Sequence, residues 1–567
     1  MSKKIIICEY MSTGINYIDD VLVRGYEPVL LEASYSEFPY AKELREDRIP
    51  VSRRLSKRFR IIPENDDYEE VLRQVREYDP VAVIPGSDYG VTLATRLAAD
   101  LGLPGNPKER IAAMTRKQAM QEALRDYGIR YVRGKAVYSE EEAIRFYREL
   151  GKDSVVVKPI RGAGSTGVYL CCGEEEMLDA VHHHFTEALN NGFSKPCVLV
   201  QERIYGTEYV VNTVSCEGMH RISSVGMYEK HRLSNGSNAY SYFRYISKLG
   251  VGHSRLLNYA CEVADAIGIK YGPVHGEYMV DENGPVLIEV NCRPMGGGLD
   301  RKYSELVVGH HETDVALDAY LDREKFLRDS RKPYRLHRCG ISKDMVLFSD
   351  TEVKTAPILQ ICRRLKSFYS ASYGMIGKTD FLPQTRDMET EAGLVYLVHD
   401  DELQVREDCD LLRLLETKYP RILYQDWSYG EVTDSGQDDA VHAASVREYI
   451  DTEGIHGATL ILSDTLDKVE NATVVTTSTL SGAYDSFEYG ILDLSRPKSF
   501  ADLESVIQLI FVFMDKIRVG GHILVPESTY RNLPYGIEGM EILFKVSGMI
   551  IELPSASEAG MLVATVS

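Results

Sequence analysis

Acidic and amide side chains occur at alternate positions in residues 271–298, which read YGPVHGEYMVDENGPVLIEVNCRPMGGG. Side chains two residues apart on a β-strand point to the same face of the sheet, so Glu289 and Asn291 share one face. Arg293 follows them by two more residues, at the end of the predicted strand. Carboxylates, an amide and an arginine gathered in this way can bind a divalent cation together with anionic oxygens.

A turn inside the same stretch decides which residue stands opposite these side chains. Residues 281–284 read Asp-Glu-Asn-Gly, and an Asn-Gly pair between two apolar runs favours a β-hairpin. If the loop consists of residues 282–284, Glu277 lies opposite Glu289. Magnesium prefers oxygen ligands from one or two carboxylates and from a polyphosphate, so Glu277, Glu289 and Asn291 are candidate metal ligands. The alternative interpretation is an amphipathic hairpin whose acidic face is solvated.

A lysine and a glycine-rich turn lie next to each other earlier in the chain. Residues 154–160 (SVVVKPI) predict a strand whose one charged side chain, Lys158, lies either at a sheet edge or opposite an anion. The next residues expose backbone N–H groups that can wrap phosphate oxygens. The candidate contacts in this turn are Gly162, Gly164, Ser165, Thr166 and Gly167. The turn is not a P-loop, because no Gly-Lys-Ser/Thr ending follows, and an ordinary hairpin turn is the alternative.

Weaker candidates lie on either side of this strand. Lys117 is in a predicted helix (RKQAM), where a single lysine is usually a solvated charge. Gln201 and Glu202 end a predicted strand (CVLVQER) and could offer backbone groups to the edge of a base, with Glu208 reaching ribose hydroxyls. Residues 228–232 (YEKHR) are basic and could face phosphates or an acyl group.

Length and composition limit what the whole chain can be. Its 567 residues suggest three or four units, and 44% apolar with 26% charged residues is typical of globular proteins. The net charge of -20 argues against sequence-independent nucleic-acid binding, which needs a basic face. No run approaches about 18 apolar residues, the first residues contain no signal-peptide core, and the ten cysteines form no CxxC pair. These features predict a cytoplasmic protein with reduced thiols, no zinc site and no membrane segment.

The elements that must position the candidate residues follow a simple order. Residues 1–107 alternate predicted strands and helices, which indicates a doubly wound α/β layer without a GxGxxG motif. Residues 108–427 contain the candidate site and mix helices with strands, so the fold class is α/β together with α+β. Residues 428–439 are polar and are interpreted as a linker. Residues 440–567 predict a further α/β domain, with three strands, a helix over residues 500–516 and a Gly-Gly turn before a late strand.

Taken together, these stretches resemble the ATP-grasp superfamily. Lys158-Pro159 with RGAGSTG, then QERIYGTE, HGEY and EVNCR occur in the order of that family. Lys117 lies 41 residues before Lys158, as the first nucleotide-binding lysine of the family does. The resemblance covers roughly residues 1–420 and implies an ATP-grasp fold with an N-terminal doubly wound domain.

The resemblance also implies a role for each candidate residue. The residues implied for ATP are Lys117 and Lys158 on the phosphates, the glycine loop above them, Gln201, Glu202 and Ile204 at the adenine hinge, and Glu208 on the ribose. The residues implied for Mg²⁺, with Mn²⁺ as an alternative, are Glu277, Glu289 and Asn291. Arg293 and Lys158 are the residues implied for catalysis: Arg293 would stabilise the negative charge that develops near an acyl phosphate, and Lys158 would hold the ATP phosphates.

Within the superfamily, the ending EVNCRPMGGG and the His-x-Glu of residues 275–277 are most similar to amino-acid and dipeptide ligases. This likeness implies an enzyme that activates a small carboxylate as an acyl phosphate and joins it to an amine, releasing ADP and phosphate. Its partners would be a small-molecule carboxylate and an amine, and a homo-oligomeric state is left open. Pro294 and Met295 depart from the family pattern, which leaves the acyl specificity open. The rival hypothesis is a non-catalytic ATP-binding regulatory or scaffold protein of the same fold.

Residues 440–567 resemble the back end of a class I methyltransferase, in which a helix, a Gly-Gly turn and a late strand recur. The glycine-rich turn that should bind the methyl donor is missing. We therefore expect a degenerate methyltransferase-like domain with a structural or partner-binding role rather than a second enzyme.

Overall fold

The computed structural model describes residues 2–36, 38, 41–160, 167–190, 195–233, 238–297, 299–353, 358–372, 374, 379, 381–386, 390–418, 459–462, 472–475, 487–492, 513, 516–526, 549–552 and 561–566. The chain divides into two compact units, Met1–Ser342 with Arg386–Glu389 and Lys343–Thr385 with Thr390–Ser567. The domain boundaries at residues 107 and 427 stay predictions, and the predicted linker, residues 428–439, lies outside the described residues.

The first unit contains both strands and helices. Its strands are β1 (Lys4–Cys8), β2 (Glu27–Leu31), β3 (Arg60–Ile62), β4 (Pro80–Pro85), β5 (Gly134–Val137), β6 (Ser154–Lys158), β7 (Tyr169–Cys172), β8 (Val198–Glu202), β9 (Thr207–Cys216), β10 (Met219–Arg232), β11 (Asn238–Tyr245), β12 (Gly272–Asp281) and β13 (Gly284–Asn291). Its helices are α1 (Asn16–Val23), α2 (Ala41–Leu55), α3 (Tyr68–Arg76), α4 (Val91–Asp100), α5 (Ile111–Thr115), α6 (Lys117–Tyr127), α7 (Glu140–Leu150), α8 (Glu174–Asn190), α9 (Val251–Ile267), α10 (Arg301–Val308), α11 (Glu312–Leu321) and α12 (Arg323–Ser330).

The N-terminal strands form a parallel sheet in the order β3-β2-β1-β4. A strand that is buried on both faces needs a continuous apolar run, and β1 (KIIIC) supplies one. Ile5 and Ile7 pack with residues of α1 and α11, whereas Ile6 and Cys8 pack with residues of α3 and α4. The predicted doubly wound layer is therefore confirmed. The carboxyl ends of its strands form the edge at which such layers bind ligands.

A small antiparallel sheet follows, in the order β5-β8-β6-β7. Helices α7 and α8 cover one of its faces through a core that includes Phe146, Val157 and Met177. Lys158 is the last residue of β6 and comes shortly before the glycine loop. The small sheet therefore brings the candidate phosphate residue to the end of a strand that is fixed by packing.

A larger antiparallel sheet carries most of the candidate site, with strands in the order β13-β12-β9-β10-β11. Helices α6 and α9 cover one face through a core that includes Leu124, Val263 and Tyr278. Polar residues are in register across the strands, since His275 pairs with Asn212 and Asn212 with Ser224.

The hairpin of β12 and β13 differs from the prediction in one detail. Its loop has two residues, because Asp281 pairs with Gly284, so the three-residue loop considered as a condition does not form. A β-bulge then leaves Ile288 without a partner and puts Glu277 opposite Glu289. The bulge adds one residue to β13, and this shifts the pairing by one position, as a loop longer by one residue would also do. Glu277 and Glu289 therefore face each other, as expected for a three-residue loop, although the loop is one residue shorter.

The second unit contains two kinds of sheet. Its strands are β14 (Cys339–Met345, from residue 343 onward), β15 (Thr351–Glu352), β16 (Phe368–Ser372), β17 (Phe381–Leu382), β18 (Gly393–His399), β19 (Thr459–Leu462), β20 (Ala472–Val475), β21 (Phe487–Leu492), β22 (Ile517–Pro526), β23 (Met549–Glu552) and β24 (Met561–Val566). Its helices are α13 (Ile358–Arg364) and α14 (Glu402–Lys418). The pairs β15-β17 and β16-β18 are antiparallel.

The last strands form a sheet in the order β20-β19-β21-β22-β24-β23. Its first four strands are parallel, and β24 runs antiparallel to both of its neighbours. The three strands predicted from the sequence correspond to β19, β20 and β21. Gly520 and Gly521, expected in a turn, lie within β22 beside a shift in its register with β21. The helix predicted over residues 500–516 lies almost entirely outside the described residues.

Candidate active site

The acidic face of the β12-β13 hairpin is bonded to neighbouring side chains rather than left to solvent. Lys117 Nζ, at the start of α6, lies 3.0 Å from Glu289 Oε1. In the amide orientation that satisfies its neighbours, Asn291 donates to Glu289 Oε1 at 3.2 Å and to Asp88 Oδ1 at 3.0 Å. To coordinate a cation here, the Asn291 side-chain amide would rotate so that its oxygen faces the ion.

Glu277, across the hairpin from Glu289, is bonded to a histidine. His275 Nε2 lies 3.3 Å from Glu277 Oε1, and His275 Nδ1 lies 2.8 Å from Asn212 Oδ1. Burial raises the pKa of the Glu277 carboxyl, but the bond to His275 and the charge of Lys230 outweigh burial and lower it to about 2. Glu277 therefore carries a negative charge at neutral pH, as a metal ligand must.

Lys158 is a buried cation with no bonded partner among the described residues. Its side chain is 4% exposed, and no hydrogen bond or ion pair joins it to another described residue. Burial and the positive charge of Lys117 lower its pKa to about 8, against the opposing charges of Glu289 and Glu277. An ammonium buried without compensation costs free energy, so this position suits a bound anion.

A third lysine comes from the basic segment of β10. Lys230 Nζ donates to Glu208 Oε1 at 2.7 Å and lies 4.4 Å from the ring centre of Tyr240. Burial raises the pKa of the Glu208 carboxyl, and the charge of Lys230 opposes that rise. Glu208 is therefore held by Lys230, and its contact with a ribose stays a prediction.

Asp88 is a residue of the site that sequence reasoning missed. Arg293 Nε and Nη2 both lie close to Asp88 Oδ2, at 2.8 and 2.7 Å. Arg293 Nη1 also donates to the carbonyl oxygen of Pro294 at 3.0 Å. Asp88 thus fixes the direction of the guanidinium that was predicted to stabilise developing charge.

The loop that carries Asp88 is held against β1 by two glycines. A Cβ atom on Gly86 would lie 2.4 Å from the carbonyl oxygen of Glu9, and one on Gly90 would lie 2.3 Å from that of Cys8. Neither distance leaves room for a side chain, so both positions require glycine. These two glycines are the first and last residues of the sequence GSDYG that follows β4, so the sequence did contain an indication of this tight loop.

Glu312, at the start of α11, is a second acid that sequence reasoning missed. Its Oε2 accepts a hydrogen bond from the backbone N–H of Met295 at 2.9 Å, and Oε1 has no partner among the described residues. Burial raises the pKa of this carboxyl to about 8, against the charge of Arg293. At neutral pH the group is therefore mostly uncharged and holds the backbone that follows Arg293.

The residues predicted for the adenine hinge lie on β8. Gln201 pairs with Gly134 on one side and with Val156 on the other. Glu202 Oε1 accepts a hydrogen bond from the backbone N–H of Arg133 at 2.8 Å. Ile204 follows the strand, and no backbone hydrogen bond among the described residues uses its N–H. The three hinge contacts stay predictions.

The glycine loop is only partly described. Gly162, Gly164, Ser165 and Thr166 lie outside the described residues. Gly167 is described and has a φ of +68°, in the left-handed region that favours glycine. The phosphate contacts of this loop therefore stay predictions.

A cavity with about 320 Å³ of free space opens beside the metal and phosphate candidates. Lys117, Glu289, Asn291 and Asp88 form part of its lining. The rest comes from the loops after β2, β3 and β4 and from helices α3 to α6. The cavity therefore connects the candidate site with the carboxyl edge of the N-terminal sheet.

The donor set suits magnesium only in company with another ligand. Among the described residues, no group of three or more His, Cys, Asp and Glu side chains could hold a metal ion. Glu277, Glu289 and Asn291 provide two carboxylates and an amide, and Mg²⁺ completes its shell with water and phosphate oxygens. Mn²⁺ accepts the same oxygen ligands. These residues fit a metal that arrives with a polyphosphate.

Comparison with known proteins identifies the fold. A family model described as "ATP-grasp domain" matches residues 152–300. The chain is 27% identical over 365 residues to dapdiamide A synthase from Enterobacter agglomerans, covering 64% of this chain and 85% of that protein. The crystal structure of an L-amino acid ligase from Bacillus licheniformis superposes with a TM-score of 0.56 at 16% identity, covering 73% of this chain and 97% of that one.

A further solved structure gives the same result. N5-carboxyaminoimidazole synthase from Aspergillus clavatus, crystallised with ADP, superposes with a TM-score of 0.52 at 15% identity, covering 73% of this chain and 98% of that one. The predicted ATP-grasp fold is therefore confirmed. In the part of the chain that the structure describes, no helix is long and apolar enough to cross a membrane.

Proposed function

We propose that this protein is an ATP-dependent ligase that activates the carboxyl group of an amino acid or a similar small acid and joins it to an amine. The likeness to dapdiamide A synthase and to an L-amino acid ligase supports the predicted class, an ATP-grasp amide-forming ligase. The identity of the substrates and the role of each residue are parts of the proposal.

The observation that carries the proposal is the buried ammonium of Lys158, which forms no hydrogen bond or ion pair with any other residue that the structure describes. Burial and the positive charge of Lys117 lower its pKa, and the charges of Glu289 and Glu277 oppose that shift. A polyphosphate would supply the negative charge that this position lacks, and Lys117 would contribute a second cation. A purely structural role would not favour burying Lys158 where none of the described side chains pairs with it.

The metal candidates account for the remaining charge. Glu277 and Glu289 would hold Mg²⁺ with Asn291, and the bound ion would neutralise phosphate charge during transfer. Lys117 pairs with Glu289 in the structure. When ATP and metal bind, the phosphates would attract Lys117 and the metal would attract Glu289, so this pair would be weakened. The two lysines and the two carboxylates therefore act as one set.

The chemistry follows from these positions. An oxygen of the acid attacks the γ-phosphorus of ATP, the bond to ADP breaks, and an acyl phosphate forms. The amine then attacks the acyl carbon, the bond from that carbon to the phosphate oxygen breaks, and the amine loses a proton. Arg293, held by Asp88, would stabilise the oxyanion that forms on the acyl oxygen. Lys158 would bind the departing phosphate.

A screen for phosphate release tests the proposal. The full-length protein is incubated with MgATP and each pair of the twenty protein amino acids, and the products are identified by mass. We expect at least one pair to release phosphate and to yield a product lighter by one water than the sum of its parts. ATP binding without phosphate release from any pair would instead support the non-catalytic alternative.

We also propose that residues 440–567 form a methyltransferase-like appendage that does not bind a methyl donor. Four parallel strands are followed in this sheet by β24 and then β23, and β24 is antiparallel to both of its neighbours. This mixed sheet supports the proposal of an α/β layer. Calorimetry on the full chain should show no saturable binding of S-adenosylmethionine. Micromolar binding would overturn this proposal and give the protein a second activity.

A further inference from the structure

Asn212 lies in the middle of β9, on the face of the large sheet that carries Glu277. The register pairs Asn212 with His275 of β12 on one side and with Ser224 of β10 on the other. Residues paired across strands point to the same face, and Glu277 shares that face because it lies two residues after His275. Asn212 is 1% exposed, so its amide has to find its hydrogen-bond partners within the protein.

The amide of Asn212 bonds to three side chains. Its Oδ1 lies 2.8 Å from His275 Nδ1, and its Nδ2 donates to Ser224 Oγ at 2.7 Å. Nδ2 also donates to the sulfur of Met295 at 3.4 Å. An amide oxygen only accepts, so His275 Nδ1 carries the proton of the first bond, and this bond holds the imidazole in one orientation.

The first of these bonds reaches a predicted metal ligand. With Nδ1 bonded to Asn212, the other ring nitrogen of His275 faces Glu277 Oε1 at 3.3 Å. His275 is 3% exposed, so water does not hold the ring in place of Asn212. Hydrogen bonds of this kind orient metal-binding side chains, and their loss typically weakens metal affinity about 10- to 100-fold. The bond from Asn212 therefore helps to fix the direction of a carboxylate that would bind Mg²⁺.

The bond to Met295 reaches the backbone that follows Arg293. Met295 is 7% exposed, and its backbone N–H donates to Glu312 Oε2 at 2.9 Å. Met295 is therefore held twice, by Asn212 at its sulfur and by Glu312 at its backbone. Arg293 Nη1 donates to the carbonyl oxygen of Pro294, which directly precedes Met295. A shift of Met295 would therefore move an acceptor of the guanidinium.

The alternative for such a buried amide is a purely structural role. Val210 and Val214, two residues to either side of Asn212, are fully buried apolar side chains. An apolar side chain at position 212 would fill this space without the desolvation of an amide. The bonds of Asn212 instead lead to two separate parts of the candidate site, and this favours a role in the reaction over packing alone.

We propose that Asn212 is a positioning residue that holds two parts of the candidate site at once. Through His275 it fixes the direction of the Glu277 carboxylate, a predicted ligand of Mg²⁺. Through Met295 it fixes the backbone that follows Arg293. The inference rests on the proposed ligase function, in which the metal binds the phosphates and the guanidinium stabilises the charge that develops on the acyl group.

Calorimetry tests the link to the metal ligand without any turnover. ATP is titrated into the full-length protein with and without Mg²⁺, and the ratio of the two affinities measures what the metal contributes. Asn212→Ala removes the donor and the acceptor together, so this affinity ratio should fall about 10-fold. ATP affinity without metal should stay within about 2-fold of the parent, since Lys117 and Lys158 are unchanged.

Ser215→Ala is the matched control for Asn212→Ala. Ser215 is also buried on β9, and its hydroxyl also bonds to a histidine ring, at 2.7 Å from His220 Nδ1. The other nitrogen of that ring faces Asp265 Oδ1 at 3.3 Å, rather than a predicted metal ligand. The affinity ratio and the rate of amide formation should equal those of the parent. An equal fall of the ratio in both variants would overturn the inference.

Two further variants separate the two links. Met295→Leu changes the volume little and removes the sulfur, so kcat for amide formation should fall about 3-fold while the affinity ratio stays at the parent value. His275→Gln should lower the ratio as much as Asn212→Ala does, and it decides the metal link if Asn212→Ala does not fold. The two substitutions together should lower the ratio no further than His275→Gln alone.

The outcomes distinguish this inference from the proposed function. An unchanged affinity ratio in Asn212→Ala or His275→Gln, additive losses in the double variant, or an unchanged kcat in Met295→Leu would overturn the inference. Absence of amide formation by the parent from every pair of amino acids would overturn the proposed function, and with it the link to Arg293. The affinity ratio would then still decide the link to Glu277.

Discussion

Replacing Asp88 by Asn should slow the ligase reaction through Arg293. Both N–H groups of Arg293 bond to the same oxygen of Asp88, Oδ2, at 2.8 and 2.7 Å, so the amide oxygen of Asn could accept them but would carry no negative charge. Arg293 is 8% exposed, so water could not replace the lost charge of its partner. The guanidinium would keep its bond to the Pro294 carbonyl and would be held less firmly in its present direction.

The size of the effect follows from the burial of the pair. Breaking a fully buried ion pair costs about 3 to 5 kcal/mol, and an exposed pair contributes about 0 to 1 kcal/mol. The side chains of Arg293 and Asp88 are 10% and 25% exposed, which places this pair between the two limits. We expect a loss of about 2 kcal/mol of transition-state stabilisation, or about 30-fold in kcat/KM.

A double-mutant cycle distinguishes positioning from a general structural effect. If Asp88 acts through Arg293, the variant with both Asp88→Asn and Arg293→Gln should be no slower than Arg293→Gln alone. Asp281, the last residue of β12, is a matched control, because it forms a bidentate pair with Arg130, at 2.7 and 2.6 Å. Asp281→Asn should lower the unfolding temperature without this loss of kcat/KM. Additive effects of the two site substitutions would refute the role given to Asp88.

Three further predictions concern the metal, the nucleotide and the second unit. Glu289→Gln should move the magnesium dependence of phosphate release to higher concentration while thermal stability stays normal, and an unchanged curve would remove Glu289 from the metal site. Lys158→Met should weaken ATP binding in calorimetry by about 1.5 to 3 kcal/mol. In the parent, bound phosphate would raise the Lys158 pKa from about 8, so ATP affinity should be constant below pH 8 and fall above it, and the variant should lose this fall. Lys343→Met should lower the free energy of unfolding by about 3 to 5 kcal/mol in denaturant titrations, because Lys343 Nζ lies 2.6 Å from Glu416 Oε2 and both side chains are fully buried. Adding Glu416→Leu should restore most of that stability, and no recovery would count against the buried pair as the cause.

The sequence was informative where local pattern and chemistry agree. The apolar run of β1 and the strand–helix alternation predicted the N-terminal layer, because parallel strands buried on both faces leave few other solutions. Lys158 stood out as the one charge in a β-branched run, and its burial fits that signal. The facing pair of Glu277 and Glu289 was also predicted, although a bulge at Ile288 rather than a longer loop produces it.

Contacts between distant segments were not accessible in the same way. Asp88 and Arg293 are 205 residues apart, and nothing in the sequence around either residue indicates that the two side chains are in contact. Helix α2 was not predicted, and it contains Pro50, which local rules treat as a helix breaker. The cavity depends on loops after three strands and on helices α3 to α6, so its shape follows from packing rather than from any one motif.

Transfer of oxygen from the acid to phosphate tests the central claim most directly. The acid identified by phosphate release is labelled with ¹⁸O in both carboxyl oxygens and incubated with MgATP, the amine and the full-length protein. An acyl phosphate keeps the bridging oxygen on phosphorus when the amine breaks the carbon–oxygen bond. We therefore predict one ¹⁸O atom in the inorganic phosphate for each amide formed. Unlabelled phosphate, or label that appears in AMP, would contradict the account.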